Sequence, residues 1–169
     1  MTQPAETDEK GVLVAYLNAQ RRHVLEILEG LADEDMHRAV LPSGWTPVGL
    51  VNHLALDDER FWFQAVVAGE QSAIESIENE SDSWKVSPDT PASDIVDLYR
   101  QEIERSNAVI ASTPLDTAPA WWPDFFGTFR LDNLRDVLLH VITETACHAG
   151  HADAARELID GKRWMVLTE

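Results

Sequence analysis

DNLRDVLLHVITETACHAGHADAARELIDG, residues 132–161, is the stretch on which the fold turns. Wound as a helix at about 100° per residue, it gathers Val137, Val141, Ala152, Ala155 and Ile159 on one side. The spacing predicts a long amphipathic helix from near Asp132, closed by Gly161 as a C-terminal cap. Glu144 and His148 fall inside the same arc as i, i+4 neighbours. His151 follows three residues later at the margin of the arc, and His140 lies one turn before Glu144. An acid on a core-facing arc needs an offset, because unpaired buried charge is costly. The offset is either a bound cation or an ion pair with Arg22 or Arg135.

Three further segments carry the same period. The first runs from about Glu9 to Gly30, with a stripe of Leu13, Leu17, Val24, Leu28 and Leu31. The second opens at Thr46-Pro47, an N-cap followed by proline at the first helical position, and runs to Ala68 before Gly69. The third is capped by Ser93 and continues to Ser112 through Ile95, Leu98, Tyr99, Ile103, Val109 and Ile110. An acidic, Ser-rich stretch, residues 70–91, joins the second to the third, with a short helix expected over 71–77. The run Glu75 to Asp82 within it reads as a solvated loop. A Pro-rich loop with Trp121, Trp122, Phe125, Phe126 and Phe129 joins the third to the fourth. Strand signals are weak throughout. The expectation is an all-α four-helix bundle with long crossover loops, spanning residues 1–169 as one domain.

On the second segment Leu50, Leu54, Phe61, Ala65 and Ala68 form the apolar face. His53 borders it, and Asp57 sits one turn later on the same edge. Alone, His53 reads as a hydrogen-bonded structural histidine. Together with the Glu144/His148 pair on a facing helix, it reads as a metal site built inside a bundle. Imidazole and carboxylate suit zinc, iron or nickel better than calcium. Three protein ligands leave positions open for water or substrate, the arrangement of a catalytic site.

Composition narrows the function classes. The chain has 169 residues, 44% of them hydrophobic, and a formal net charge of -17. Such an acidic surface repels phosphate backbones and anionic bilayers, so neither nucleic acid nor membrane is an expected partner. The first ten residues are polar and acidic without an apolar core, which argues against a secretory leader. The one cysteine, Cys147, allows no internal disulfide and reads as an inert or partly buried thiol. A reducing, cytoplasmic setting is the expectation. The many aromatics make a homodimer a further expectation, with no interface assigned. Arg21, Arg22 and Arg60 are expected in ion pairs on helix surfaces.

Three stretches carry a resemblance to a known family: SGWTPVGLVNHLALDDERFWFQAVVAG at 43–69, LDNLRDVLLH at 131–140, and ETACHAGHADAARELIDG at 144–161. They resemble the DinB-like superfamily, and within it the thiol-dependent group of mycothiol-dependent maleylpyruvate isomerase and mycothiol S-transferases. The resemblance implies a bundle with a metal, zinc by preference, bound by His53, Glu144 and His148. The Glu-x-x-x-His form is that of the isomerase. His151 stands where the wider superfamily often has glutamine, and reads as a fourth ligand, a group behind the ligands, or a substrate contact. Asp57 is positioned to hold a ligating histidine.

The function this implies is a metal-dependent thiol S-transferase or isomerase, with a low-molecular-weight thiol as co-substrate and a small electrophile as its target. His53, Glu144 and His148 would hold the metal, and His151 or Asp57 would move a proton. The loop Trp121 to Phe129 reads as a hydrophobic plug on the bundle end, with a lid over the site as the alternative. Other classes remain open: a metal or small-molecule binder without turnover, a zinc hydrolase, and a structural bundle whose polar core residues only fix helix register.

Overall fold

The computed structural model describes residues 8–79 and 82–164. The expected domain also takes in 1–7, 80–81 and 165–169, which lie outside the described residues. Every regular element described is helical. α1 spans Glu9–Leu28, α2 Asp33–Met36, α3 Pro47–His53, α4 Gln71–Asn79, α5 Ala92–Ser112 and α6 Leu134–Asp160. α3 runs on without interruption as a π-helical segment, Leu54–Val67. The long elements are α1, α3 with its π extension, α5 and α6. α1 packs along α6, and α5 along the π segment. The helical bundle is the expected architecture.

The termini show local chemistry at work. Thr46 Oγ1 accepts from the backbone N–H of Gly49 at 3.1 Å, and Pro47 opens α3 as expected. α6 begins at Leu134, two residues later than expected, because Asn133 is its cap and accepts from Asp136 N–H at 3.1 Å. α5 begins at Ala92, and Ser93 is not its cap. Asp33 of α2 reaches across and accepts from Ala92 N–H at 2.7 Å. A cap supplied by another element leaves no mark in local sequence. The short helix expected in the acidic crossover is α4, which runs two residues further than expected, into the Glu75–Asp82 run read as loop (80–81 lie outside the described residues), and buries Ala73 and Ile74 beside Ala65.

The larger departure is the π segment. Its wider turn buries a broad face: Leu54, Ala55, Asp58, Glu59, Phe61, Trp62, Phe63, Gln64, Ala65, Val66 and Val67. Ala68, expected on the apolar face, is exposed. The chain is pinned at its end by the i+5 bond from Ala68 N–H to Phe63 O, at 3.0 Å.

The core is two apolar compartments with a polar layer between them. One holds Val24, Leu50, Leu54, Tyr99 and Ala149; the other holds Leu17, Phe61, Val109, Leu138 and Val141. On each helix the residue between the two sets is polar and buried: Arg21 on α1, Asp58 and Glu59 on the π segment, Glu102 and Ser106 on α5, Thr145 on α6. Arg21 is thus not a surface residue. Its Nε donates to Glu59 Oε1 at 2.7 Å and its Nη2 to Glu59 Oε2 at 2.5 Å. Its Nη1 donates to Asn18 and Asn107 at 2.9 and 2.8 Å. Glu102 accepts from Arg60 at 2.9 Å and from Gln64 at 2.5 Å.

The crossover after α4 lies against α3 at a glycine. A Cβ on Gly49 would stand 2.3 Å from the carbonyl oxygen of Trp84. Only a residue without a side chain lets that loop approach, and the approach is fixed again where Asn52 Nδ2 donates to Ser83 O at 2.7 Å.

Two stability outcomes follow. Arg21→Ala strands the Glu59 carboxylate and should cost about 3–5 kcal/mol in urea unfolding, whereas the pair Arg21→Met/Glu59→Leu should recover most of it. Gly49→Ala should cost about 1–3 kcal/mol by overpacking the crossover.

Candidate functional site

His53 is the last α-helical residue before the π segment, and its ring is held on two sides. Asp57, one turn on, accepts from His53 Nδ1 at 2.7 Å. Asp57 Oδ2 also accepts from Ser83 Oγ on the crossover. Trp84, beside Ser83, stacks on the imidazole with ring centroids 4.2 Å apart. Nε2 is the nitrogen left for a ligand. The close packing at Gly49 thus delivers Ser83 and Trp84 to His53.

α6 supplies the opposite wall. The ring of His148 meets His53 edge to face, with centroids 5.0 Å apart. His148 Nε2 lies 4.0 Å from Glu144 Oε2, and His148 Nδ1 lies 3.3 Å from His151 Nδ1. Only 12% of the His148 side chain is exposed. Burial, followed by repulsion from His53 and His151, pushes its pKa down to about 4. It is therefore a neutral imidazole at pH 7, the form in which histidine binds a metal. The Nδ1 contact requires one ring to donate and the other to accept. Trp84 and Trp45 flank these two histidines, at 5.4 Å from His148 and 6.2 Å from His151.

The four residues expected as ligands, His53, Glu144, His148 and His151, are thus neighbours. Three observations bear on the expected ligand set. The Glu144 side chain is 42% exposed, so it lines an open cleft instead of the core. His151 is exposed. Glu144 has not been claimed by Arg135, which binds Glu9 and Asp116 instead, at 2.6 Å each. Among the described residues no group of three or more His, Cys, Asp or Glu side chains stands in a geometry that holds a metal ion. The donor chemistry suits a divalent cation: two imidazoles, one anchored through its far nitrogen and one kept neutral, beside a carboxylate. Cys147 is exposed, not partly buried.

A cavity of about 300 Å³ opens beside His53 and Glu144. Asp57, Asp58, Phe61, Trp62, Phe126 and His140 are among its other walls. The aromatic loop builds one side. Phe126 stacks parallel on Trp62 with centroids 5.6 Å apart, and meets Phe61 edge on at 5.8 Å. The loop thus packs as a wall, with Phe125, 68% exposed, also lining the cavity. Burial lowers the pKa of His140, which sits edge on to Trp62 at 4.6 Å.

Asp58 is the functional candidate that sequence reading missed. It is 4% exposed, and its Oδ2 has no hydrogen-bond partner. Desolvation first, then repulsion from Glu59, Glu144 and Asp57, raises its pKa well above the carboxylate range. A signal was present: Leu54, Asp58, Phe61 and Ala65 are spaced four, three and four, so Asp58 shares the apolar stripe.

Comparison with known proteins bears on the same residues. No curated protein and no solved structure gives a significant match to the chain. A family model described as mycothiol S-transferase matches residues 12–161, which takes in most of α1, all of α2 through α6 and all of the site described above. The chain belongs to the mycothiol S-transferase family.

Proposed function

We propose that the protein transfers a low-molecular-weight thiol of the mycothiol type to a small electrophile, with a divalent cation, zinc by preference, held by His53, His148 and Glu144. The observation that carries this reading is the edge contact of His53 with His148 at 5.0 Å, with Glu144 beside them at the mouth of a cavity. A cation bound there would lower the pKa of the thiol and hold it as thiolate.

The protein's own groups have distinct tasks in this scheme. Asp57 fixes the His53 tautomer, with Nδ1–H donated to the carboxylate and Nε2 free. His151 does the same for His148 through the Nδ1 contact. Both groups are open to solvent and lie one hydrogen bond behind the two imidazoles, so they also carry away the proton that the thiol loses. The aromatic cavity receives the electrophile and keeps water from it. The thiolate sulfur forms the new bond with the electron pair it keeps, and the leaving group departs with its own bonding pair.

His53→Ala and His148→Ala should each abolish co-purification of about one zinc per chain, measured by elemental analysis, and should lower adduct formation with a haloarene more than ~100-fold. Metal without any thiol adduct would point to a binder, and release of a hydrolysis product to a hydrolase. Asp57→Asn should weaken metal affinity by about 10–100-fold, because the amide neither fixes the His53 tautomer nor carries charge; competition with a chromophoric chelator measures it.

A further inference from the structure

The cavity beside His53 has an unusual polar group among its aromatic walls. Of the buried carboxyl groups, Glu59 is paired with Arg21, and Glu102 with Arg60 and Gln64. Asp58 lines the cavity and has no such pairing; its Oδ2 is buried without a hydrogen-bond partner. The other acids on the cavity, Asp57 and Glu144, are of like charge and make an ionised Asp58 costlier still. A neutral carboxyl group carries one O–H donor, and a buried donor without an acceptor is a deficit that a ligand removes. The rest of the lining favours flat, apolar ligands: Phe61, Trp62 and Phe126 present ring faces and edges, and Trp62 and Phe126 lie within 6° of parallel.

We infer that this cavity is the electrophile subsite, and that it selects planar conjugated molecules carrying a carbonyl or nitro oxygen, to which Asp58 donates a hydrogen bond. The inference rests on the thiol-transfer reading for the word electrophile, but the recognition itself requires neither thiol nor metal. In an addition to a conjugated carbonyl, the thiolate sulfur bonds to the β-carbon. The π pair moves through the conjugated system onto the carbonyl oxygen. Asp58 holds that oxygen by its hydrogen bond as negative charge develops, and the resulting enolate takes at carbon the proton that the thiol lost, returned from Asp57 on the cavity wall. Asp58 is then a catalytic residue for such substrates, stabilising charge at the oxygen.

The test uses two unreactive probes, acetophenone and ethylbenzene, which share the ring and a two-carbon substituent and differ in the carbonyl oxygen, titrated by NMR into the purified protein. The wild type should bind acetophenone about 10-fold more tightly, the value of one hydrogen bond of about 1.4 kcal/mol. The carbonyl stretch of bound acetophenone should shift to lower frequency. Asp58→Leu should erase both the preference and the shift while retaining ethylbenzene, and should fold at least as stably because it removes an unpaired polar group. Asp58→Asn, which retains a donor, should keep part of both. Equal binding of the two probes by the wild type, or an unchanged carbonyl stretch in Asp58→Leu, would overturn the inference even if thiol transfer is confirmed. A preserved preference in a protein that transfers no thiol would leave the subsite standing and remove only the proposed reaction.

Discussion

A layer of charge crosses this bundle between two apolar compartments, and most of the structure answers to it. Asp58, Glu59 and Glu102 are buried at that level in a chain whose net charge is already -17. Each buried carboxylate needs a cation, a full set of donors or a proton. Arg21 reaches in from α1 for Glu59, and Arg60 turns toward Glu102. Two carboxyl groups near this level are left without an arginine: Asp58, which is driven toward its neutral form, and Glu144, which stays at the open edge beside two histidines. The candidate cleft occupies the place where the internal pairing stops.

The crossover between α4 and α5 completes the site from outside the bundle. Its approach depends on Gly49, and what it brings is specific: Ser83 for Asp57, and the Trp84 ring for His53. Asp57 thereby has two donors and His53 one acceptor and one stacking face. On α6, burial first, and then the crowding of His148 by His53 and His151, keeps it neutral. Packing and site geometry are coupled here, since the same contact that closes the loop onto α3 sets the orientation of an imidazole.

Much of this was legible in the sequence, and the rest was hidden for physical reasons. The helical periods revealed four long segments, and Thr46-Pro47 and Gly161 marked helix ends correctly. The i, i+4 spacing of Glu144 and His148, and His53 on the facing helix, located the cleft. Asp57 beside His53 followed from the same rule. The start of α5 was misplaced because its cap, Asp33, is distant in sequence. The burial of Arg21 is not legible, because a helical wheel gives position on the helix but no knowledge that Glu59 faces it. The π segment was invisible to a period of 3.6, and with it the burial of Glu59 and Gln64. Glu144 was expected in the core, yet lies at the rim, because the arc that carries it borders a cleft. Ser83 and Trp84 could not be assigned at all, since a loop's docking is decided by the surface it meets.

The central claim is that His53, His148 and Glu144 share one divalent cation, and that a thiol joins them there. X-ray absorption at the zinc edge of the zinc-loaded protein tests this most directly. The account predicts a first shell of nitrogen and oxygen in the free protein, and a sulfur ligand at about 2.3 Å once the thiol is added. A sulfur-free shell that the thiol leaves unchanged, or zinc whose shell is the same after His53 and His148 are replaced by alanine, would contradict it.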